Sequence, residues 1–189
     1  MQKFLKTTAA AAMIAAGAVS LAGLPGSDAW AKMVGGAEMS ESKNIVENAA
    51  NSKDHTTLVA AVKAAGLAET LSGKGPFTVF APTNAAFEKL PDGTVDTLLK
   101  PENKKKLTNI LTYHVVPAKA TASAITKMVK DDGGAHEVKT VSGDMLTIKT
   151  AGDKVTITDE SGQTATVTIA DVMQSNGVIH VIDTVLLPK

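Results

Sequence analysis

The sequence predicts an α+β domain, and three observations carry that prediction. In the first half of the chain, apolar residues recur at i, i+3, i+4 and i+7, the spacing of a helix with one buried face. In the second half they alternate with polar residues between turn-forming clusters, the pattern of strands with one face in water. Helices come first and hairpins later, which suits segregated layers rather than a parallel sheet wound through βαβ units.

Residues 1–31 read as a secretory signal peptide. Lys3 and Lys6 supply a basic start, Thr7 to Leu24 is an alanine-rich apolar stretch, and Pro25 and Gly26 break it. Ala29-Trp30-Ala31 is a small-x-small cleavage site, so the exported chain is expected to begin at Lys32. Alanine gives too little hydrophobicity for a permanent membrane span, and with no cysteine there is no N-terminal lipid anchor. The expected location is therefore outside the cytoplasm, in the periplasm or the exterior. Residues 32–41 are expected to be a polar leader, and residues 42–188 a single domain.

Within the domain, Asp54 is placed to cap a helix carrying Leu58, Ala61, Val62 and Ala65, which Gly66 stops. Leu67 to Ser72 is a brief helix ending at Gly73. Pro76 to Pro82, "PFTVFAP", reads as a strand held between prolines. Thr83 or Asn84 caps a short helix with Phe87 and Leu90, and Val95, Leu98 and Leu99 form another short amphipathic turn. Pro101 and Glu102 suit the opening of a further helix leading into "ILTYHVVP", Ile110 to Pro117. Beyond it, Leu146 with Ile148, Val155 with Ile157, and Val167 with Ile169 mark successive strands. Ala151-Gly152-Asp153, Asp159 to Gly162 and Asn176-Gly177 are the turns, the last leading into "VIHVIDTVLL".

Composition excludes several functions. The chain carries 19 basic and 19 acidic residues, and every basic one is lysine. Without arginine's planar fork, recognition of nucleic acid is disfavoured. The Lys104-Lys105-Lys106 run suits the solvated first turn of a helix. The absence of cysteine removes thiol catalysis, thiolate zinc sites and iron–sulfur clusters, and no cofactor is expected. Once Trp30 leaves with the signal peptide, the aromatics of the exported chain are Phe77, Phe80, Phe87 and Tyr113, too few for a stacking platform.

Three segments, in order, resemble the fasciclin (FAS1) domain family: "FTVFAPTNAAF" (Phe77 to Phe87), "ILTYHVV" (Ile110 to Val116) and "SNGVIHVIDTVLLP" (Ser175 to Pro188). They look like the family's first conserved segment, its Tyr-His motif and its second conserved segment. The resemblance spans roughly Ser42 to Pro188. It implies a β-sandwich or wedge of short strands with helices packed alongside, and an exported adhesion module that is not an enzyme. Its partner would be a surface protein or a glycan. The Tyr-His region is implicated in adhesion in related proteins, so the resemblance carries partner binding onto Tyr113 and His114. The chain holds one such domain and no Arg-Gly-Asp, so receptor recognition of the animal kind is not carried over.

The residues themselves leave more than one reading of these motifs. In "ILTYHVVP", if the helix opened near Pro101 persists, His114 closes an apolar stripe with Leu107, Ile110 and Leu111. If the chain is extended by Thr112, Tyr113 and His114 fall on opposite faces and at most one faces a partner. The other reading has Tyr113 in the core and His114 tied to backbone. In "VIHVIDTVLL", strand parity sets Asp183 in an apolar row with Ile179 and Val181, against His180 with Val178 and Ile182. An inward carboxylate is expected to clamp backbone amides or hydroxyls. "DDGGAHE", Asp131 to Glu137, lacks the spacing of a calcium loop and reads as a flexible polar loop rather than a metal site. There is no Gly-x-Ser-x-Gly elbow, and His55, His114, His136 and His180 are scattered. The alternative function, from another class, is a periplasmic carrier holding a small apolar ligand between helices and sheet.

Overall fold

A computed structural model describes residues 31–152 and 154–189. Apart from Ala31, the expected signal peptide lies outside the described residues.

The segment expected to be a polar leader is a hairpin, with β1 (Lys32–Val34) antiparallel to β2 (Ala37–Met39). Its alternation buries Val34 and Met39, so it belongs to the core rather than to a tail. Gly35 makes this docking possible: at φ 59° it lies so close to Ser52 and Lys53 that a side chain would collide with them.

The helices follow the periodicity. Asn44 and Glu47 form a capping box at α1 (Ile45–Asn51). α2 (Thr56–Ala65) buries Leu58, Ala61, Val62 and Ala65, and Gly66 ends it in the left-handed conformation. Asp54 does not cap α2. It lies in a short 3-10 turn (Lys53–His55), and the amide of Thr57 donates to Asn84 Oδ1 instead. α3 (Ala68–Ser72) stops at Gly73, and Thr83 caps α4 (Asn84–Glu88). α5 (Thr94–Leu99) precedes a 3-10 turn at Pro101–Asn103 and then α6 (Lys104–Tyr113), whose first turn exposes Lys104 to Lys106.

β3 (Phe77–Pro82) and β4 (Val115–Val116) come from this first half. The remaining strands are β5 (Ala135–Lys139), β6 (Met145–Ala151), β7 (Lys154–Thr158), β8 (Thr164–Gln174) and β9 (Gly177–Ile182). They form one sheet in the order β4-β3-β9-β8-β7-β6-β5, antiparallel except for β3 beside β9. β8 bends through register shifts between Val167 and Val172, so it pairs with β7 at one end and β9 at the other. The wedge is thus a single sheet folded along β8. Its two edges meet where the amide of Val141 donates to the carbonyl of Val115 at 2.8 Å.

Two apolar clusters fill the domain. The first lies between the helices and one face of β3 and β9, and takes Val79, Ala81, Ile179 and Val181. The second fills the fold of the sheet, with Phe80, Leu146, Ile148, Ile157 and Ile182. Strands β3 and β9 separate the two and are buried on both faces, which explains their unbroken apolar character. The second cluster is closed by α7 (Ala122–Asp131), whose Ile125 and Val129 are buried. No element was assigned here from the sequence, although Ala122, Ile125, Met128 and Val129 stand at helical spacing and Ser123, Lys127 and Lys130 face solvent. The helix occupies the start of "DDGGAHE", whose end is β5; only Gly133 and Gly134, both at positive φ, behave as the loop expected there.

Candidate functional site

Tyr113 is the last residue of α6, and His114, still in the right-handed helical region, is its C-cap. The chain becomes extended only at Val115. Strand parity therefore does not apply to the pair, and both rings turn inward: Tyr113 is 0% exposed and His114 2%. This bears out the reading with Tyr113 in the core and His114 tied to backbone, and removes the one in which a ring faces outward. The chain turns extended where the β-branched pair begins, at Val115, and the helix before it carries both rings into the seam between the two clusters.

Each ring is consumed by backbone. The Tyr113 hydroxyl donates to the carbonyl of Met145 (3.0 Å) and accepts from the amide of Glu160 (3.1 Å), joining α6 to β6 and to the turn after β7. Burial, with weaker contributions from nearby carboxylates, raises its pKa to about 12. His114 Nδ1 lies 2.8 Å from the carbonyl of Ile110, and Nε2 accepts from the amide of Leu186 at 3.0 Å. That acceptor role fixes the neutral tautomer with its proton on Nδ1. Burial outweighs the pull of the Ile110 carbonyl and of Asp159, lowering the pKa to about 4.

Two carboxylates complete this frame. Asp159, 5% exposed, accepts from the amides of Ser161 (3.0 Å) and Gln163 (2.8 Å), from the Ser161 hydroxyl, and from the amide of Leu187 (3.0 Å). Thus His114 and Asp159 hold consecutive residues of the C-terminal segment. Asp183 accepts from the amide of Thr166 (2.9 Å) and the Thr184 hydroxyl, the clamping role expected of it. Asp159 stood in the sequence only as a turn residue. Its signal was the Asp-x-Ser-x-Gln spacing, which lets one carboxylate bond its own turn's amides.

The other histidines are set apart. His180, 1% exposed, lies 2.8 Å from the carbonyl of Ala120 through Nε2 and accepts from the amide of Asp171 through Nδ1. It stacks on Phe80, and burial lowers its pKa. His55, also buried with a lowered pKa, faces the Ser52 hydroxyl through Nδ1. His136 pairs with Asp132, one helical turn earlier in the sequence. Among the described residues no three histidine or acidic side chains gather as metal ligands.

Away from these rings, a polar groove of about 590 Å³ opens where the start of α1, the end of α3 and the β8–β9 turn meet. Its lining includes Ser42, Asn44, Lys74, Lys119, Ser175 and Asn176. No local pattern marks it, because its walls come from segments more than a hundred residues apart. Asn176, expected only to form a tight turn, holds two of those walls. Its Oδ1 accepts from Ile45 at the head of α1, and its Nδ2 donates to the carbonyls of Leu71 and Gly73. Gly177 is required there for proximity rather than for a left-handed turn, since a Cβ would overlap the Phe77 carbonyl.

The family model of the Fasciclin domain matches residues 53–188. Protein sll1483 of Synechocystis sp. is 56% identical over 144 residues, covering 76% of this chain and 73% of that one. The cell surface glycolipoprotein MPB83 of Mycobacterium bovis is 40% identical over 122 residues, covering 65% of this chain and 48% of that one. Among solved structures, the FAS1 domain pair of the insect cell adhesion molecule Fasciclin I superposes with a TM-score of 0.69 at 18% identity, covering 77% of this chain and 51% of that one. At that identity the likeness is one of fold.

Proposed function

The chain belongs to the Fasciclin domain family, and from that premise we propose that it works as an exported, non-catalytic interaction module. It binds a protein or glycan partner at the cell surface or beyond and promotes attachment. The observation that carries this reading is the burial of Tyr113 and His114, with every polar atom of both rings bonded to backbone. Rings so committed are poor proton-transfer groups, and recognition falls to the outer surface that they hold in shape. Their contribution to partner binding is therefore indirect. The mycobacterial relative's name places that protein at the cell surface, which supports the location proposed here. Export through the signal peptide at residues 1–31, with cleavage after Ala31, belongs to the same proposal.

The carrier alternative requires room for a ligand. The apolar cavity beside His114, lined by Ile45, Leu58, Val62, Leu71, Val79 and Leu111 among others, measures about 30 Å³. Ligand pockets occupy roughly 300–1,000 Å³, so this cavity favours the interaction module.

A deletion strain tests the proposal. Reduced attachment or altered envelope organisation, restored by the wild-type gene, is the expected result. Attachment, envelope integrity and surface association all equal to wild type would overturn it. The frame role has its own test in His114→Ala and Tyr113→Phe: partner binding should fall only in step with melting temperature. Binding lost at unchanged melting temperature would mean direct contact.

A further inference from the structure

The polar groove has properties that the interaction module does not by itself explain. Two ammonium groups, Lys74 and Lys119, stand on its lining, and among the described residues neither has a carboxylate within ion-pair distance. The one carboxylate on the lining, Glu47, is turned back into its capping box and accepts from the amide of Asn44 at 2.9 Å. Ser42, Ser72, Ser175 and Asn44 add hydroxyl and amide groups to the same lining.

The walls that carry these groups are fixed from beneath by buried polar side chains. Thr78, 0% exposed, donates to the carbonyl of Ala118 (2.6 Å) and accepts from the amide of Ala120 (2.8 Å), bracketing Lys119. His180 holds the carbonyl of Ala120, and the Asp171 carboxylate accepts from the amide of Ala122 at 2.7 Å. On the opposite side, Asn48 (0% exposed) bonds Gln174 and the carbonyl of Ser40, while the amide of Ser175 donates to the carbonyl of Lys43. Asn176 holds the third wall, immediately before Lys74. Burying so many polar groups is costly unless all are paired. Here they are paired, and the result is a cationic cleft whose walls have little freedom left to lose on binding.

We infer that this groove binds a segment of an acidic glycan, with carboxylates of the polymer on Lys74 and Lys119 and its hydroxyls on the serines and Asn44 of the same lining. The inference rests on the interaction-module reading and names its ligand class. A groove donor-rich in charge and hydroxyls, and without an aromatic on its lining, suits a hydrated anionic polymer better than an apolar ligand.

The test is calorimetric titration of the full chain with an oligogalacturonate, beside a neutral cello-oligosaccharide of the same length and a short poly-glutamate. The oligogalacturonate should bind with an affinity that falls as salt rises, and the neutral sugar should not bind. Lys74→Glu and Lys119→Glu should each weaken binding roughly tenfold or more, with melting temperature unchanged because neither lysine supports the core. No binding of the oligogalacturonate, or binding indifferent to both substitutions, overturns the inference. So does poly-glutamate binding as tightly through the same lysines, which would assign the groove to acidic peptides. A strain carrying both substitutions separates this inference from its premise. If it attaches normally while the deletion strain does not, the groove assignment fails and the interaction module stands.

Discussion

Acidification should unfasten the C-terminal segment through His114. Neutral His114 accepts from the amide of Leu186, and a protonated ring cannot accept that bond. Burial lowers its pKa to about 4 from the ordinary 6.5. The folded state therefore resists a proton that the unfolded chain takes up freely below pH 6.5. The associated stability is fully present above pH 6.5, drains away as pH falls toward 4, and changes little below that. A shift of about 2.5 units corresponds to about 3 kcal/mol, or roughly 6–12 °C in melting temperature for a domain of this size. Burial also lowers the pKa values of His55 and His180, so wild type should lose more than His114 alone accounts for. Urea unfolding of wild type and His114→Gln at pH 7.5, 5.5 and 4.0 isolates the contribution. The variant should be less stable at pH 7.5 but lose about 3 kcal/mol less than wild type between the extremes. Equal losses in the two proteins would refute the assignment of this titration to His114.

Tyr113→Phe removes the partner of both the Met145 carbonyl and the Glu160 amide while keeping the ring, and should cost about 1–3 kcal/mol in chemical denaturation. Asp159→Ala releases the amides of Ser161, Gln163 and Leu187 together and should cost at least about 3 kcal/mol, with hydrogen exchange rising first at Leu187. Gly177→Ala drives a methyl group into the Phe77 carbonyl across the parallel β3–β9 pair, so the variant should yield little soluble protein, while Gly152→Ala, where a Cβ meets nothing and only the left-handed φ of 65° is penalised by about 1–2 kcal/mol, should still fold. Truncating Ile157, fully buried in the second cluster, to alanine should cost about 2–5 kcal/mol in the same assay.

The α+β class, the element order and the buried faces of most elements were legible in the chain because they depend on local periodicity and on capping or turn chemistry. Leu58, Ala61, Val62 and Ala65 declare one face of α2, and Leu146, Ile148, Val155 and Ile157 declare one face of two strands. The fasciclin resemblance was legible in three short motifs. The tertiary structure decided what the motifs do. Whether Tyr113 and His114 both turn inward depended on α6 running through Tyr113 with His114 as its cap, where the two apolar clusters meet. Asp159 became a four-bond clamp only because the C-terminal segment passes beside it. The hairpin at Lys32–Met39 is core only because a groove above the Lys53–His55 turn receives Gly35, Val34 and Met39. The lysine-rimmed cleft has no local signature at all, since Ser42, Lys74, Lys119 and Asn176 become neighbours only when the start of α1, the end of α3 and the β8–β9 turn meet. Local sequence sets which face of each element seeks the core; the long-range meeting of those faces sets which polar groups are left on a common surface.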